Sequence, residues 1–395
     1  MLFFFRKISF KSGFVRYQSA YWFYYFLRIT KNRNFIGMNL LLVFVISFAL
    51  SYFFVKVTIK YAAVFGLIDD PKVRNHPAAL HKLSIPRAGG LPIFVSFLIT
   101  SVLMIPYSQK LLGILLGGLV LVGVGILDDK YDLKNKYKFL AQIVAALIVV
   151  GSGIGISFIT NPVHVFVGGE ILRLDQVRII FDFFGTHSIL VFADLFALFW
   201  IIWVINMVNF SAGVDGQLGG IAIVVLFVIF AASLRFYPDP SQTIVTKLAL
   251  IGAGATLGFL IFNFFPAKIF PGDSGSYFLG FLIAVLAILS GAKVGTAILV
   301  MAIPLIDGVF TVVRRIMEHK SPFLGDRKHL HHRLLELGLS QRAVSLFYWL
   351  LCAILGAVAL ILPAGQKLFA GVFIAIIVLG GVIWLNFNLQ TKVQK

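Results

Sequence analysis

Polar stretches interrupt an otherwise apolar chain, and each holds residue types suited to phosphate or metal chemistry. They are GLIDDPKVRNHPAALHKLSIPRAGG (66–90), DDKYDLKNK (128–136), NMVNFSAGVDG (206–216), FPGDSGS (270–276) and SPFLGDRKHLHHRLLELGL (321–339). Asp128 and Asp129 end a long apolar run. Adjacent carboxylates at a helix C-terminus oppose the dipole and repel each other, so their presence asks for a cationic partner. A divalent ion would supply it: hard oxygen donors suit Mg²⁺, with Mn²⁺ as a substitute, and phosphate oxygens can complete the shell. Acids at a membrane edge are functional by default.

Asp273 precedes an apolar run, which predicts the N-cap of the following helix, a role compatible with metal ligation. The glycines beside it let an anion approach a helix N-terminus. Asn206 and Asn209, spaced i, i+3, share one helix face, where they either serve a site or bond a neighbouring helix. Asp215 follows in a glycine-rich segment. His329, His331 and His332, interleaved with Arg327, Lys328 and Arg333, read either as a phosphate grip or as a loop whose cations only set topology, and not as a zinc site, because the one cysteine, Cys352, sits in an apolar helix and the carboxylates prefer a harder ion. Lys82 and Arg87 either hold an anion beside the acidic site or serve only as loop cations.

The elements that must position these groups are membrane helices. Hydrophobic residues make up 59% of the 395-residue chain, charged residues 13%, and mean hydropathy is +0.96. Windows of about 18 to 24 apolar residues suffice to cross a hydrocarbon core of roughly 30 Å, and they lack the alternation of a barrel. The expected fold is all-α and polytopic, with eleven spans near 36–60, 89–106, 111–127, 138–159, 188–206, 218–236, 244–262, 275–290, 293–313, 344–363 and 367–387. Residues 36–390 then form a single transmembrane domain. In the segment 160–187, the pattern VHVFV, GGE, ILRL predicts a small β-hairpin on the outer side.

The net charge of +18 does not signal nucleic acid. Most lysines and arginines outside the first 35 residues fall on one side of the expected spans, which the positive-inside rule assigns to the cytoplasm, together with every polar stretch above. Residues 1–35 mix basic and aromatic side chains without the form of a cleavable signal, and read as an interfacial arm. They fall on the outer side under this topology, and Met38 directly precedes the first span. Both observations raise the expectation that residues 1–37 extend a chain starting at Met38.

Taken together and in this order, IPRAGG, DD, NxxNxxxGxDG, GDSGS and HLHH resemble the polyprenyl-phosphate N-acetylhexosamine-1-phosphate transferases over roughly residues 40 to 390. The branch most similar makes undecaprenyl-diphospho-GlcNAc for O-antigen, teichoic acid or related glycans. The resemblance implies ten or eleven helices in the bacterial cytoplasmic membrane, a cytoplasmic active site and Mg²⁺. Its partners would be a UDP-N-acetylhexosamine, undecaprenyl phosphate and membrane lipids, with UMP released; a homodimer is left open. It makes Asp128, Asp129, Asp273 and His331 catalytic, with Asp273 and Asp129 toward the metal. Asn206, Asn209, Asp215, Lys82, Arg87, Arg327, His329 and His332 would face the substrates. Ala212 departs from the aspartate many bacterial members carry there. The competing readings are the phospho-MurNAc-pentapeptide transferases of peptidoglycan synthesis, which usually show a compact HHH run, and a transporter or scramblase. Transport sites lie near the midplane, whereas these stretches collect at one face.

Overall fold

The computed structural model describes residues 13–72, 83–161, 171–182, 186–237, 239–290, 293–321 and 329–393. The chain falls into two units, Met1–Leu42 and Val43–Lys395. Helices dominate, as they must where each segment satisfies its own backbone polar groups. They are α1 (Gly13–Tyr61), α2 (Gly90–Met104), α3 (Gln109–Tyr131), α4 (Asn135–Gly151), α5 (Val191–Phe210), α6 (Gln217–Leu234), α7 (Pro240–Asn263), α8 (Gly272–Leu289), α9 (Lys293–Val300), α10 (Ala302–Met317), α11 (Leu330–Glu336), α12 (Gln341–Ile361) and α13 (Ala364–Val393).

The protein is polytopic, but the span count differs from expectation. Among the described residues seven helices are long and apolar enough to cross a membrane: α1 over Gly37–Tyr61, α3, α5, α6, α7, α8 and α12. An eighth arises if α9 and α10 count as one span, and that pair is bent by 81° where an unbroken helix over 293–313 was expected. Of the other expected spans, 367–387 lies within the 30-residue α13, of which Gly365–Gly381 forms a shorter apolar helix, and two fall on helices that are short throughout. Helix α2 has 15 residues and α4 has 17, which at about 1.5 Å per residue reach less than the roughly 30 Å of a hydrocarbon core.

The hairpin expectation is half right. Strand β4 (Ile171–Arg173) does pair antiparallel, but with β3 (Phe158–Thr160), Ile159 opposite Leu172. Val163–Gly169, the expected partner and turn, lie outside the described residues. A second antiparallel pair, β5 (Arg178–Asp182) with β6 (Thr186–Leu190), had no clear alternation to announce it. Near the other polar loops a short ladder joins β1 (Ile68–Asp69) to β2 (Ile85–Pro86), with Ile68 opposite Pro86.

Helix α8 is the axis on which the polar loops are hung. Its Phe278 ring sits edge-on between Phe94 and Phe97 of α2, centroids 5.2 and 5.4 Å away. Removing such a buried ring costs about 3–5 kcal/mol. Helix α5 lies along α8, with the Trp200 indole donating to the Ala284 carbonyl at 3.0 Å and, farther along, Asn209 Nδ2 donating to Ser276 Oγ at 2.7 Å. Helix α3 crosses α8 at Gly125, where a Cβ would overlap the Ser274 backbone, so the crossing requires glycine. The ends of α3 and α5 are thereby brought to the first turn of α8.

Candidate active site

The start of α8 is clasped by the loop before α2. Phe270 N–H donates to Pro86 O at 2.8 Å, Gly89 N–H to Phe270 O at 2.9 Å, and Arg87 N–H to Leu67 O at 2.9 Å. This fixes Arg87 beside the acidic residues. Its Nε lies 3.1 Å from Asp129 Oδ1 and its Nη2 3.6 Å from Asp273 Oδ1. Burial disfavours the Arg87 charge, but the carboxylates, Asp129 foremost and then Asp273, outweigh it and hold its pKa above the ordinary value.

Asp129 is a cap supplied from another helix. Its Oδ1 accepts from the Asp273 backbone N–H at 2.8 Å, and its Oδ2 from the Ser274 hydroxyl at 2.8 Å and the Ser274 N–H at 3.3 Å. Gly272, at φ 66°, turns the chain tightly against this carboxylate, and a Cβ there would collide with it. The expectation that Asp273 itself caps α8 is corrected. The cap position is Pro271, with no side-chain bond, and Asp273 stands inside the first turn because Asp129 already fills the capping role. The positive end of α8 also provides, with Arg87, the compensation that the adjacent acids needed.

Asp128 closes its own chain reversal. Leu133 N–H donates to its Oδ1 at 2.8 Å, holding the turn that swings α4 back and delivers Lys138 to the site. Lys138 Nζ lies 3.4 Å from Asp128 Oδ1 and 3.2 Å from Asp273 Oδ2. Asp273 further accepts from the Tyr277 hydroxyl at 2.9 Å and from Asn209 Nδ2 at 3.2 Å. Asp128, Asp129 and Asp273 each offer one oxygen, all within 4.8 Å of one another. An all-oxygen anionic set fits a hard divalent cation. Asp128 and Asp273 have the greater capacity for it, because the Lys138 ammonium that meets their oxygens can give way to a cation, whereas both oxygens of Asp129 are held by the backbone and hydroxyl donors of α8.

The two asparagines part company. Asn209 joins the acids, whereas Asn206 Nδ2 donates to Gln142 Oε1 of α4 at 2.7 Å and to Ile202 O at 2.7 Å. Its amide binds helix to helix, the plainer alternative of the sequence reading. Asp215 serves similarly as a stitch: its Oδ2 accepts from Ala267 N–H at 2.9 Å, and its carbonyl from Ser345 Oγ at 2.7 Å. Lys82 and Arg327 lie outside the described residues.

The histidines gather at the end of α5. His329 lies 6.0 Å from the Phe210 ring and stacks on His331 at 5.4 Å, and His332 follows at 4.4 Å from His331. His331, expected to be catalytic, is buried at 2% exposure, with its ring against Gly213 and its Nδ1 without a hydrogen-bond partner among the described residues. Burial first, then neighbouring His332 and His329, hold its pKa well below the usual histidine range. His329 Nδ1 meets Asp307 Oδ2 at 3.0 Å. Sequence reading missed Asp307, although a carboxylate inside an expected span was itself a signal. It also missed Lys138 and Tyr277, the first counted only as a topology charge.

Residues 111–291 match the model of glycosyl transferase family 4. The chain is 29% identical over 334 residues to the probable undecaprenyl-phosphate N-acetylglucosaminyl 1-phosphate transferase of Bacillus subtilis, covering 83% of this chain and 86% of that protein. It is 30% identical over 331 residues to the decaprenyl-phosphate N-acetylglucosaminephosphotransferase of Mycobacterium tuberculosis, covering 76% and 77%. The protein belongs to glycosyl transferase family 4. A third relative, the undecaprenyl-phosphate alpha-N-acetylglucosaminyl 1-phosphate transferase of Haemophilus influenzae, is 30% identical over 330 residues, covering 78% and 84%. The family match spans α3 to α8, and so contains Asp128, Asp129, Lys138, Asn209 and Asp273, while Arg87 and the histidines lie outside it.

Proposed function

We propose that this protein transfers GlcNAc-1-phosphate from UDP-GlcNAc to undecaprenyl phosphate, releasing UMP and starting a cell-surface glycan on a polyprenyl diphosphate. The relatives' names supply the donor and acceptor classes. The observation that carries the reading is the convergence of Asp128, Asp129 and Asp273 with Arg87, Lys138 and Asn209 at the first turn of α8. Two anions must meet in this reaction, a lipid phosphate and a nucleotide diphosphate. Phosphoryl transfer is largely a matter of positioning and charge neutralisation, which fixed cations and amide donors provide.

In this reading Asp273 and Asp128 would hold Mg²⁺, which supplies Lewis acidity and a counter-charge for the diphosphate. Arg87 and Lys138 bring phosphate oxygens to the same place, and Asn209 fixes the Asp273 rotamer. Asp129 holds α8 in register. A phosphomonoester is already largely ionised at neutral pH, its second pKa being about 6, so the lipid phosphate attacks the β-phosphorus directly without a general base. The competing route, an aspartyl-phosphate intermediate, would exchange label between UMP and UDP-GlcNAc with no lipid present.

The site faces the cytoplasm of a bacterial cell, because the basic loops lie at the same face. The test is UMP release from UDP-GlcNAc by purified protein with undecaprenyl phosphate and Mg²⁺. Release that requires the lipid and stops with a chelator supports the proposal. Absence of UMP under all these conditions refutes it.

A further inference from the structure

We infer that Asp307 is a positioning residue for His329, fixing the imidazole in the tautomer that leaves Nε2 as a hydrogen-bond acceptor for an N–H or O–H of the substrate. The role for Nε2 rests on the transferase reading above; the tautomer itself does not.

Asp307 sits in α10 at 5% exposure, on the buried stripe it shares with Thr311 and Arg315 at i+4 and i+8. Its two oxygens do different work. Oδ1 accepts from the Leu330 backbone N–H at 2.9 Å and so ties down the start of α11. Oδ2 lies 3.0 Å from His329 Nδ1. A carboxylate only accepts, so the proton between them belongs to Nδ1. Thr311 Oγ1, 3.3 Å from the same nitrogen, then takes a share of that proton as a second acceptor. The ring is clamped by Phe210 at 6.0 Å and by the stacked His331, 6° from parallel. A histidine meant only to fill space needs no buried carboxylate. A carboxylate that holds one ring nitrogen fixes the orientation of the other, and where the histidine binds a metal such orienting partners are typically worth about 10- to 100-fold in activity, the scale expected of Asp307.

Asp307→Asn separates the two functions: the amide oxygen can still accept from Leu330 N–H, while the amide nitrogen confronts Nδ1–H. Two readouts decide the matter. In ¹⁵N-histidine NMR of the full-length protein in nanodiscs, with His329→Gln assigning the resonance, wild type shows a protonated, hydrogen-bonded Nδ1, and Asp307→Asn shifts the population toward Nε2–H. In UMP release, Asp307→Asn lowers kcat/KM for UDP-GlcNAc about 10- to 100-fold, and the Asp307→Asn, His329→Gln double variant is no worse than His329→Gln alone. A bare Nδ1 in wild type, or losses that multiply in the double variant, overturns the proposal. The wild-type spectrum decides the tautomer even if Asp307→Asn does not fold. Wild type that releases no UMP yet shows Nδ1–H defeats the substrate reading and the Nε2 role while leaving the Asp307–His329 orientation standing.

Discussion

The carboxylate of Asp129, at the end of α3, caps α8 by accepting the Asp273 backbone N–H at 2.8 Å. One acid of the apparent catalytic pair is therefore a joint between two helices, and it aims the neighbouring Asp273 side chain at Lys138 and Asn209. Stability and activity should separate along this line.

Asp129→Ala leaves the α8 N–H groups and the Arg87 guanidinium without their carboxylate, and should destabilise the protein by about 3–5 kcal/mol. Asp273→Asn relieves crowding among three acids while losing its cationic partners, and should change stability far less while abolishing turnover. Thermal unfolding in detergent beside an activity assay distinguishes the two. Equal destabilisation by both would remove the distinction between joint and reacting centre.

Lys138 competes with a cation for the same oxygens. Two unit charges about 4 Å apart at an effective dielectric near 20 interact by about 4 kcal/mol, so even partial relief is large. Lys138→Met should lower the Mg²⁺ concentration needed for half-maximal activity about tenfold while reducing kcat. An unchanged or raised Mg²⁺ requirement would place the metal away from Asp128 and Asp273.

Asn206 should behave as helix glue. Interhelical hydrogen bonds average about 0.6 kcal/mol and reach about 1.7, so Asn206→Leu should lose that order of stability, with KM for UDP-GlcNAc held within about twofold. A raised KM without loss of stability would return Asn206 to the substrate.

His331 gives an acid sensitivity with a defined sign. Its folded pKa lies below the ordinary value of about 6.5, so its contribution is fully present above that value and is lost as pH falls, because the unfolded chain takes the proton first. The fall in melting temperature between pH 8 and pH 5 should shrink in His331→Gln. An equal fall in both proteins would show that the ring is not held neutral by its burial.

Much of this was legible in the sequence. Apolar run lengths located the helices, and charges too costly for an apolar setting marked Asp128, Asp129 and Asp273. What could not be read is which group satisfies which. Asp273 before an apolar run looks like a cap, and only the crossing at Gly125 reveals that Asp129 arrives from α3 to do it. Asn206 and Asn209 look equivalent one turn apart, yet α4 approaches one and α8 the other. Lys138 was hidden by a rule that explains every cation at a membrane face. Asp307 needed no tertiary knowledge, only the same suspicion of buried acids applied to the bent α9–α10 span.

The most direct measurement is lipid-dependent UMP release from UDP-GlcNAc by the purified wild type, Asp128→Asn and Asp273→Asn, with UDP-GlcNAc binding followed in parallel. Wild type should release UMP only with undecaprenyl phosphate and Mg²⁺, and both variants should lose release while remaining folded. Full activity in folded Asp273→Asn would contradict a reaction centred on the first turn of α8.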